Sequence, residues 1–295
     1  MRIAILGFGL IGGSIARALA VAPDRAAWSV AAWSPTGHGP ARAAADGTVA
    51  EAAPDSETAI AGAHLVVIAA PPTATLDLLD RLGGPLRTAL SGAAVVTDVA
   101  STKSVIVDTA RRHGLRFVGG HPMAGRETSG YAAALPDLFA GRPWVVVPAD
   151  PSDAQATLTV ETLVVACGAR PVRLDAGGHD RAVAAISHLP LVLAAALVEA
   201  VAGSPEGAEP ESWPLARTLA SSGWRDMTRL ARGDVAMGAG IATTNAPELA
   251  SRIRAVRSVL DGWLEELERQ DGPNERRLAA RLQVARDRLE TDRPA

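Results

Sequence analysis

The chain has 295 residues, 48% hydrophobic and 21% charged, enough to bury a substantial core and to divide into two domains. Its net charge of -3 presents no basic field, which argues against nucleic acid or an anionic membrane surface as a partner. The single cysteine, Cys167, excludes an intramolecular disulfide and a cysteine-built metal cluster, as expected in a reducing cytoplasm.

The first twenty residues begin with an apolar run at 3–6 and then break into glycines, so they predict neither a signal peptide nor a membrane span. Short apolar runs at 3–6, 30–33, 65–69 and 95–99 alternate with alanine-rich helical stretches, the pattern of strand–helix units on a parallel sheet. Further strands are predicted at 116–118, 144–148 and 170–174. From about Gly177 the strand signal ends. Residues 179–203 read as one long apolar helix bent at Pro190, 203–214 as a surface connection, and 210–290 as further helices. The expected fold is α/β: a Rossmann-type, doubly wound, mostly parallel sheet over 1–175, followed by an all-helical domain over 176–295. Within the latter, Leu249, Ile253, Val256, Leu260, Trp263, Leu264 and Leu267 recur at helical spacing and predict a face that buries against another helix.

Gly7-Phe8-Gly9-Leu10-Ile11-Gly12 follows the first strand and opens a helix, the context a GxGxxG dinucleotide-binding turn requires. Gly7 suits the tight turn, Gly9 the approach of a pyrophosphate and Gly12 close helix packing, while the amides at the helix start, from Leu10 and Ile11 on, face the phosphates. An NAD site usually carries an acid at the end of the second strand, whereas this chain has Trp33-Ser34-Pro35. Ser34 with Arg42 or His38 nearby therefore favours NADP over NAD. The fourth strand ends at Asp98 and runs into Ser101-Thr102-Lys103. Ligands of open parallel sheets sit outside the carboxyl ends of strands, so Asp98 is expected beside the cofactor and Ser101 facing the nicotinamide. Ser101 also suits the N-cap of the next helix. His121, held in the glycine-rich turn 119–125, is a side chain able to take a proton near neutral pH, which suggests proton removal beside the nicotinamide. His179 and His188 are nine residues apart, which on a continuous helix turning about 100° per residue sets them on opposite faces. They are thus no metal pair, and no metal is predicted. His179 with Asp180 is expected to cap or orient the start of the long helix, and His188 to pack near the cleft between the domains.

The segments ILGFGLIGGSIARAL, TDVASTK at 97–103, GGHPMAG at 119–125, HDRAVAAISHLP at 179–190 and LASSGWRDMTR at 219–229 resemble the prephenate and arogenate dehydrogenase family, in the family's order and across most of the chain. The resemblance implies an oxidative decarboxylation in tyrosine biosynthesis, with hydride passing to NAD or NADP. It implies His121 as proton acceptor and Ser101 as its partner on the ring hydroxyl. It further implies Arg229 with Asp226 as the carboxylate-binding pair, His179 and His188 in the substrate site, and a homodimer through the helical half. Many prephenate-specific members carry a histidine and a tryptophan where this chain has Leu191 and Gly238. Both departures resemble arogenate-using, NADP-preferring members. The tail after Pro273 is too short for a separate ACT-type regulatory domain.

Two other readings fit parts of the sequence. A β-hydroxyacid-type dehydrogenase uses a lone catalytic lysine, for which Lys103, the only lysine, is a superficial candidate. A non-catalytic NADP-binding redox sensor would need neither His121 nor Arg229.

Overall fold

The computed structural model describes residues 1–126, 128–203, 207 and 209–291. Most of the connection expected at 203–214 is described, but 204–206 and 208 lie outside those residues. Strands β1 (Arg2–Leu6), β2 (Ser29–Trp33), β3 (Glu51–Ala52), β4 (Leu65–Ile68), β5 (Val95–Asp98), β6 (Phe117–Pro122), β7 (Pro143–Pro148) and β8 (Arg170–Arg173) form one sheet. Their order is β3-β2-β1-β4-β5-β6-β7-β8. Every pair is parallel except β6 with β7. The order reverses between β1 and β4, which leaves a crevice outside their carboxyl ends.

The central strands β1 and β4 are buried on both faces and are therefore continuously apolar rather than alternating, whereas the edge strand β8 is exposed. Ile3, Ile5, Leu65 and Val67 point to one core, against Ile15 and Leu19 of α1 (Leu10–Val21). Ala43 of α2 (His38–Ala45) lies in the same core. Ala4, Leu6, Val66 and Ile68 point to the other, which holds Ile60 of α3 (Ser56–Ile60), Leu79 of α4 (Pro72–Gly83) and Ile106 of α5 (Ser104–Arg112). Val160 and Leu163 of α6 (Ala154–Ala166) complete the first core, where Cys167 is buried. Burial pushes the Cys167 thiol up to about 12, which makes it inert.

Two differences from the sequence reading matter for the site. The short β3 carries too few residues to register as a strand pattern. β6 extends through Pro122, so His121 lies in a strand, paired with Val145, rather than in a turn. The preceding glycines serve close packing within the protein: a Cβ on Gly120 would stand 2.5 Å from the Asp98 carbonyl oxygen, and one on Gly119 2.9 Å from Lys103 Cδ.

The long apolar helix runs over Ala176–Ala202. It consists of α7 (Ala176–Val183), a π-helical segment (Ala184–His188) and α8 (Leu189–Ala202). Pro190 at the start of α8 cannot donate to the carbonyl four residues back, and the widened turn lies where that bond is missing. The stretch is long and apolar enough to cross a membrane by composition, yet its most apolar window is only 22% buried within this chain. Helices α9 (Trp213–Leu219), α10 (Ser222–Thr228), α11 (Val235–Thr244), α12 (Ala246–Leu267) and α13 (Glu275–Thr291) follow.

The chain forms two compact units, Met1–Ala246 and Pro247–Ala295. The helices from α7 to α11 thus belong to the unit that contains the sheet, joined to it by bonds such as Thr102 Oγ1 with Thr244 Oγ1 (2.8 Å). In the second unit, Arg281 of α13 donates to the Gly262 carbonyl of α12 (2.5 Å) and lies over the Trp263 ring. Ile253, Leu260, Leu264 and Leu267 of α12 are exposed on the single chain.

Candidate active site

At the end of β1 the chain turns through Gly7, with φ +94°, and a Cβ there would stand 2.3 Å from the Ala69 carbonyl oxygen. A Cβ on Gly12 would meet the Gly7 carbonyl oxygen at 2.3 Å, so both positions are closed by the protein itself. Gly9 differs: nothing lies within 4 Å of its Cβ position, and α1 begins there with no side-chain cap. Its first amides, Leu10 and Ile11 among them, are left for an anion.

A cavity of about 700 Å³ runs from this turn past Ser34, Thr36, His38, Arg42 and Arg81. A second, of about 440 Å³, is lined by Gly9, Leu10, Ile11, Ser101, His121 and Arg126 among others. The two share Gly9, Ala69, Ala70, Pro71 and Gly130, and together make one crevice along the carboxyl ends of β1, β4 and β5. This arrangement fits a dinucleotide, with its phosphates at α1 and its two ends in the two cavities.

Beneath the second cavity lies an ion pair. Lys103 Nζ donates to Asp98 Oδ2 and to the Thr102 carbonyl (2.8 Å), and both charged side chains are fully buried. Asp98 also accepts from the amides of Ala100 (3.0 Å) and Gly120 (3.1 Å). Asp98, expected beside the cofactor, is therefore enclosed: it ties β5 to β6 and has no surface to offer a ligand. Lys103 is equally committed, which removes the observation that suggested a lysine-dependent dehydrogenase. Burial lowers the Lys103 pKa, against the opposing pull of Asp98 and Asp180. Ser101 is half-buried on the cavity wall and caps no helix. The amides that open α5 are held instead by Asp180, which accepts from Lys103 N and Ser104 N, both at 2.8 Å.

Asp180 does not cap its own helix; Asp175 does, accepting from Gly178 N (2.7 Å). Asp180 Oδ1 also meets His179 Nδ1 at 2.8 Å, and His179 Nε2 meets His121 Nδ1 at 2.8 Å. Burial pushes the Asp180 carboxyl up, but the hydrogen bonds from His179, Ser104 and Lys103 outweigh it and hold the group below the usual carboxylate range. Burial lowers the His121 pKa well below the ordinary histidine value, reinforced by His179, Lys103 and His188 and opposed by Asp180.

His188 is not on the face opposite His179, because the π segment between them turns less per residue than an α-helix. Both are buried and near enough for His179 to bear on the titration of His188. Asn245 Nδ2 donates to the Asp180 carbonyl (3.0 Å) and reaches His188 Nδ1 at 3.1 Å. His188 Nδ1 is thus the acceptor and Nε2 carries the proton. That N–H is directed to the Ser101 backbone, short of full hydrogen-bond geometry. His188 supports the Ser101 segment from behind.

Asp226 lies on α10 and Arg229 on the 3₁₀ turn (Arg229–Arg232) that follows, both exposed. Leu191 of α8 and Gly238 of α11 are neighbours: a Cβ on Gly238 would stand 3.6 Å from Leu191 Cδ2. Sequence reasoning missed Arg126, a cation on the cavity wall five residues beyond His121, and Asn245, whose partners are distant in sequence.

A strand–glycine–helix turn at the switch point of a doubly wound sheet, with a titratable histidine at the far end of the same crevice, defines a nicotinamide-dependent oxidoreductase. The family model for the prephenate dehydrogenase nucleotide-binding domain matches residues 36–173, and that for the prephenate dehydrogenase dimerization domain matches 175–283. A prephenate dehydrogenase of Bacillus subtilis (strain 168) is 31% identical over 270 residues, 90% of this chain and 68% of that protein. The crystal structure of Synechocystis arogenate dehydrogenase superimposes with a TM-score of 0.77 at 32% identity, covering 98% of this chain and 100% of that one. Prephenate dehydrogenase from Aquifex aeolicus, in complex with hydroxyphenyl propionate and NAD+, gives 0.82 at 25% identity, covering 99% and 98%. The chain belongs to the prephenate dehydrogenase family. It is an NAD(P)-dependent oxidoreductase of the prephenate and arogenate dehydrogenase type, whose reaction is an oxidative decarboxylation in tyrosine biosynthesis.

Proposed function

We propose that this chain oxidatively decarboxylates arogenate in preference to prephenate, and with NADP in preference to NAD. The observation that carries the reading is the shared crevice: Ser101 and His121 line the same cavity as Gly9 and the uncapped start of α1. Preference for NADP rests on Ser34 at the end of β2, with Arg42 and His38 lining the cavity beside it. Preference for arogenate rests on the apolar pair Leu191 and Gly238, where many prephenate-specific family members carry a histidine and a tryptophan.

The cofactor supplies the hydride acceptor. His121, neutral at working pH, takes the proton of the ring hydroxyl as hydride leaves the same carbon, a general-base contribution of roughly 10²- to 10⁴-fold. The bond to the departing carboxylate breaks, its electron pair enters the ring, and the aromatic product is the driving force. His121 returns the proton to the phenolic oxygen, so no proton is released overall. Ser101 holds the hydroxyl against the cofactor. Arg229, with Asp226 beside it, and Arg126 receive the carboxylates. His179 and His188 act behind His121 and Ser101 rather than on the substrate.

The functional division falls at 175/176, with the nucleotide-binding part before it and the substrate and dimerisation part after it. A homodimer accounts for the apolar stretch Ala176–Ala202, which this chain alone leaves largely uncovered, and for the exposed apolar face of α12. Cytoplasmic localisation is consistent with a soluble biosynthetic enzyme. Purified protein mixed with arogenate or prephenate, each with NAD or NADP, tests the reading by nicotinamide reduction. Fastest turnover with arogenate and NADP is expected; faster turnover with prephenate would keep the family and overturn the substrate assignment.

A further inference from the structure

We propose that Asp180 and His179 are positioning residues for His121: they fix the imidazole with its proton on Nδ1 and leave Nε2 bare for the substrate. The proposal rests on the reading of His121 as proton acceptor and adds how the protein selects its reactive form.

The argument is one of hydrogen-bond satisfaction. Both Asp180 oxygens accept from the backbone, Oδ1 from Lys103 N and Oδ2 from Ser104 N, each at 2.8 Å. The carboxylate is thereby fixed in place and ionised, and can only accept. Its contact with His179 Nδ1 at 2.8 Å therefore puts the proton on that nitrogen. A neutral His179 then has only a lone pair on Nε2, and it faces His121 Nδ1 at 2.8 Å. Two nitrogens at that distance need one proton between them, and it comes from His121. The two ring planes stand at 77° to each other, so the rings meet through this nitrogen–nitrogen contact and are not stacked.

The same chain of bonds carries charge during the reaction. As the hydroxyl proton reaches His121 Nε2, the Nδ1 proton passes to His179 Nε2, and the positive charge settles beside the Asp180 carboxylate. Both protons return when the phenolic oxygen recovers its own, so the cycle is balanced. The charged and titratable groups around His121 are Lys103 from the β5–α5 turn, His179 and Asp180 from α7, and His188 from the π segment. Lys103 disfavours charge on His121 itself, which gives transfer toward Asp180 its direction.

Nitrogen-15 NMR of histidine-labelled enzyme reads the tautomer directly, with the His121 signals identified by their loss in His121→Asn. A proton on Nδ1 and a bare Nε2 at pH 8 are expected, and a proton on Nε2 would overturn the proposal. Kinetics supply the second arm. His179→Phe is expected to lower kcat roughly 10²-fold with KM changed little, and His179→Gln, whose amide oxygen can accept from Nδ1, to recover about tenfold of that loss. Unchanged kcat in His179→Phe would also overturn it. Full turnover by His121→Asn would remove the proton-acceptor reading itself, whereas an inactive His121→Asn with His121 protonated on Nε2 in the parent would remove the positioning role alone.

Discussion

Leu191 and Gly238 lie against each other although they belong to different helices: a Cβ on Gly238 would stand 3.6 Å from Leu191 Cδ2. The adjacent Met237 lines the cavity that also holds His121. Two departures from the prephenate-specific pattern thus form one apolar spot. Installing Leu191→His and Gly238→Trp together is expected to raise kcat/KM for prephenate relative to arogenate by about tenfold or more, equivalent to ~1.4 kcal/mol. The two changes touch and should not add independently. A ratio unmoved in the double variant would separate these positions from substrate choice.

Ser34 sits where the second strand delivers its carboxyl end to the cofactor cavity. Ser34→Asp supplies the acid that binds a ribose hydroxyl and repels a 2′-phosphate. The expected result is a shift of kcat/KM toward NAD by about tenfold or more, most of it a rise in KM for NADP. Equal loss with both cofactors would indicate damage rather than readout.

Arg126 lies exposed at the mouth of the same cavity as His121, with no side-chain partner among the described residues. As a receiver of a substrate carboxylate it contributes to binding before and during the reaction alike. Arg126→Ala is expected to raise KM for the substrate about tenfold while kcat stays within a factor of about three. A fall in kcat at constant KM would place Arg126 in the chemistry instead.

The alternation of short apolar runs and alanine-rich stretches displayed most of the sheet, because a strand buried on both faces must be apolar throughout. Gly7 and Gly12 were legible for the same kind of reason, since close approach within the protein leaves room for no other residue, and Gly9, open within the protein, as the place where a pyrophosphate approaches the backbone. The roles of Asp98 and Asp180 were not. Each bonds to backbone amides or to a charge on another element, and such pairings leave no periodic trace in sequence. The relation of His179 to His188 was misjudged because α-helical phase was carried unbroken through 184–188, just ahead of Pro190. That proline was the available signal, since a missing amide donor four residues after Ile186 invites a widened turn.

Burial lowers the His188 pKa to about 4, with His179 adding to the effect and Asp180 opposing it, and His121 is lowered by burial in the same direction. The unfolded chain, with histidines near ~6.5, binds more protons than the folded one between these values, so stability rises with pH across that window. Acidification from ~6.5 toward 4 is expected to lower Tm progressively. The Asp153 carboxyl, held at about 2 by Arg116, adds a loss only at lower pH. A Tm that is flat or rises over the upper window would contradict the buried, neutral state of these histidines. The acid limb of kcat/KM should likewise fall below the ordinary histidine value.

The central claim is that His121 takes the hydroxyl proton in the crevice that binds the nicotinamide. The most direct measurement is the rate of nicotinamide reduction by His121→Asn with saturating arogenate and NADP, alongside NADP binding by the same variant. Loss of turnover by about 10²-fold or more with unchanged NADP affinity is the predicted result. Turnover within a few-fold of the parent enzyme would contradict it.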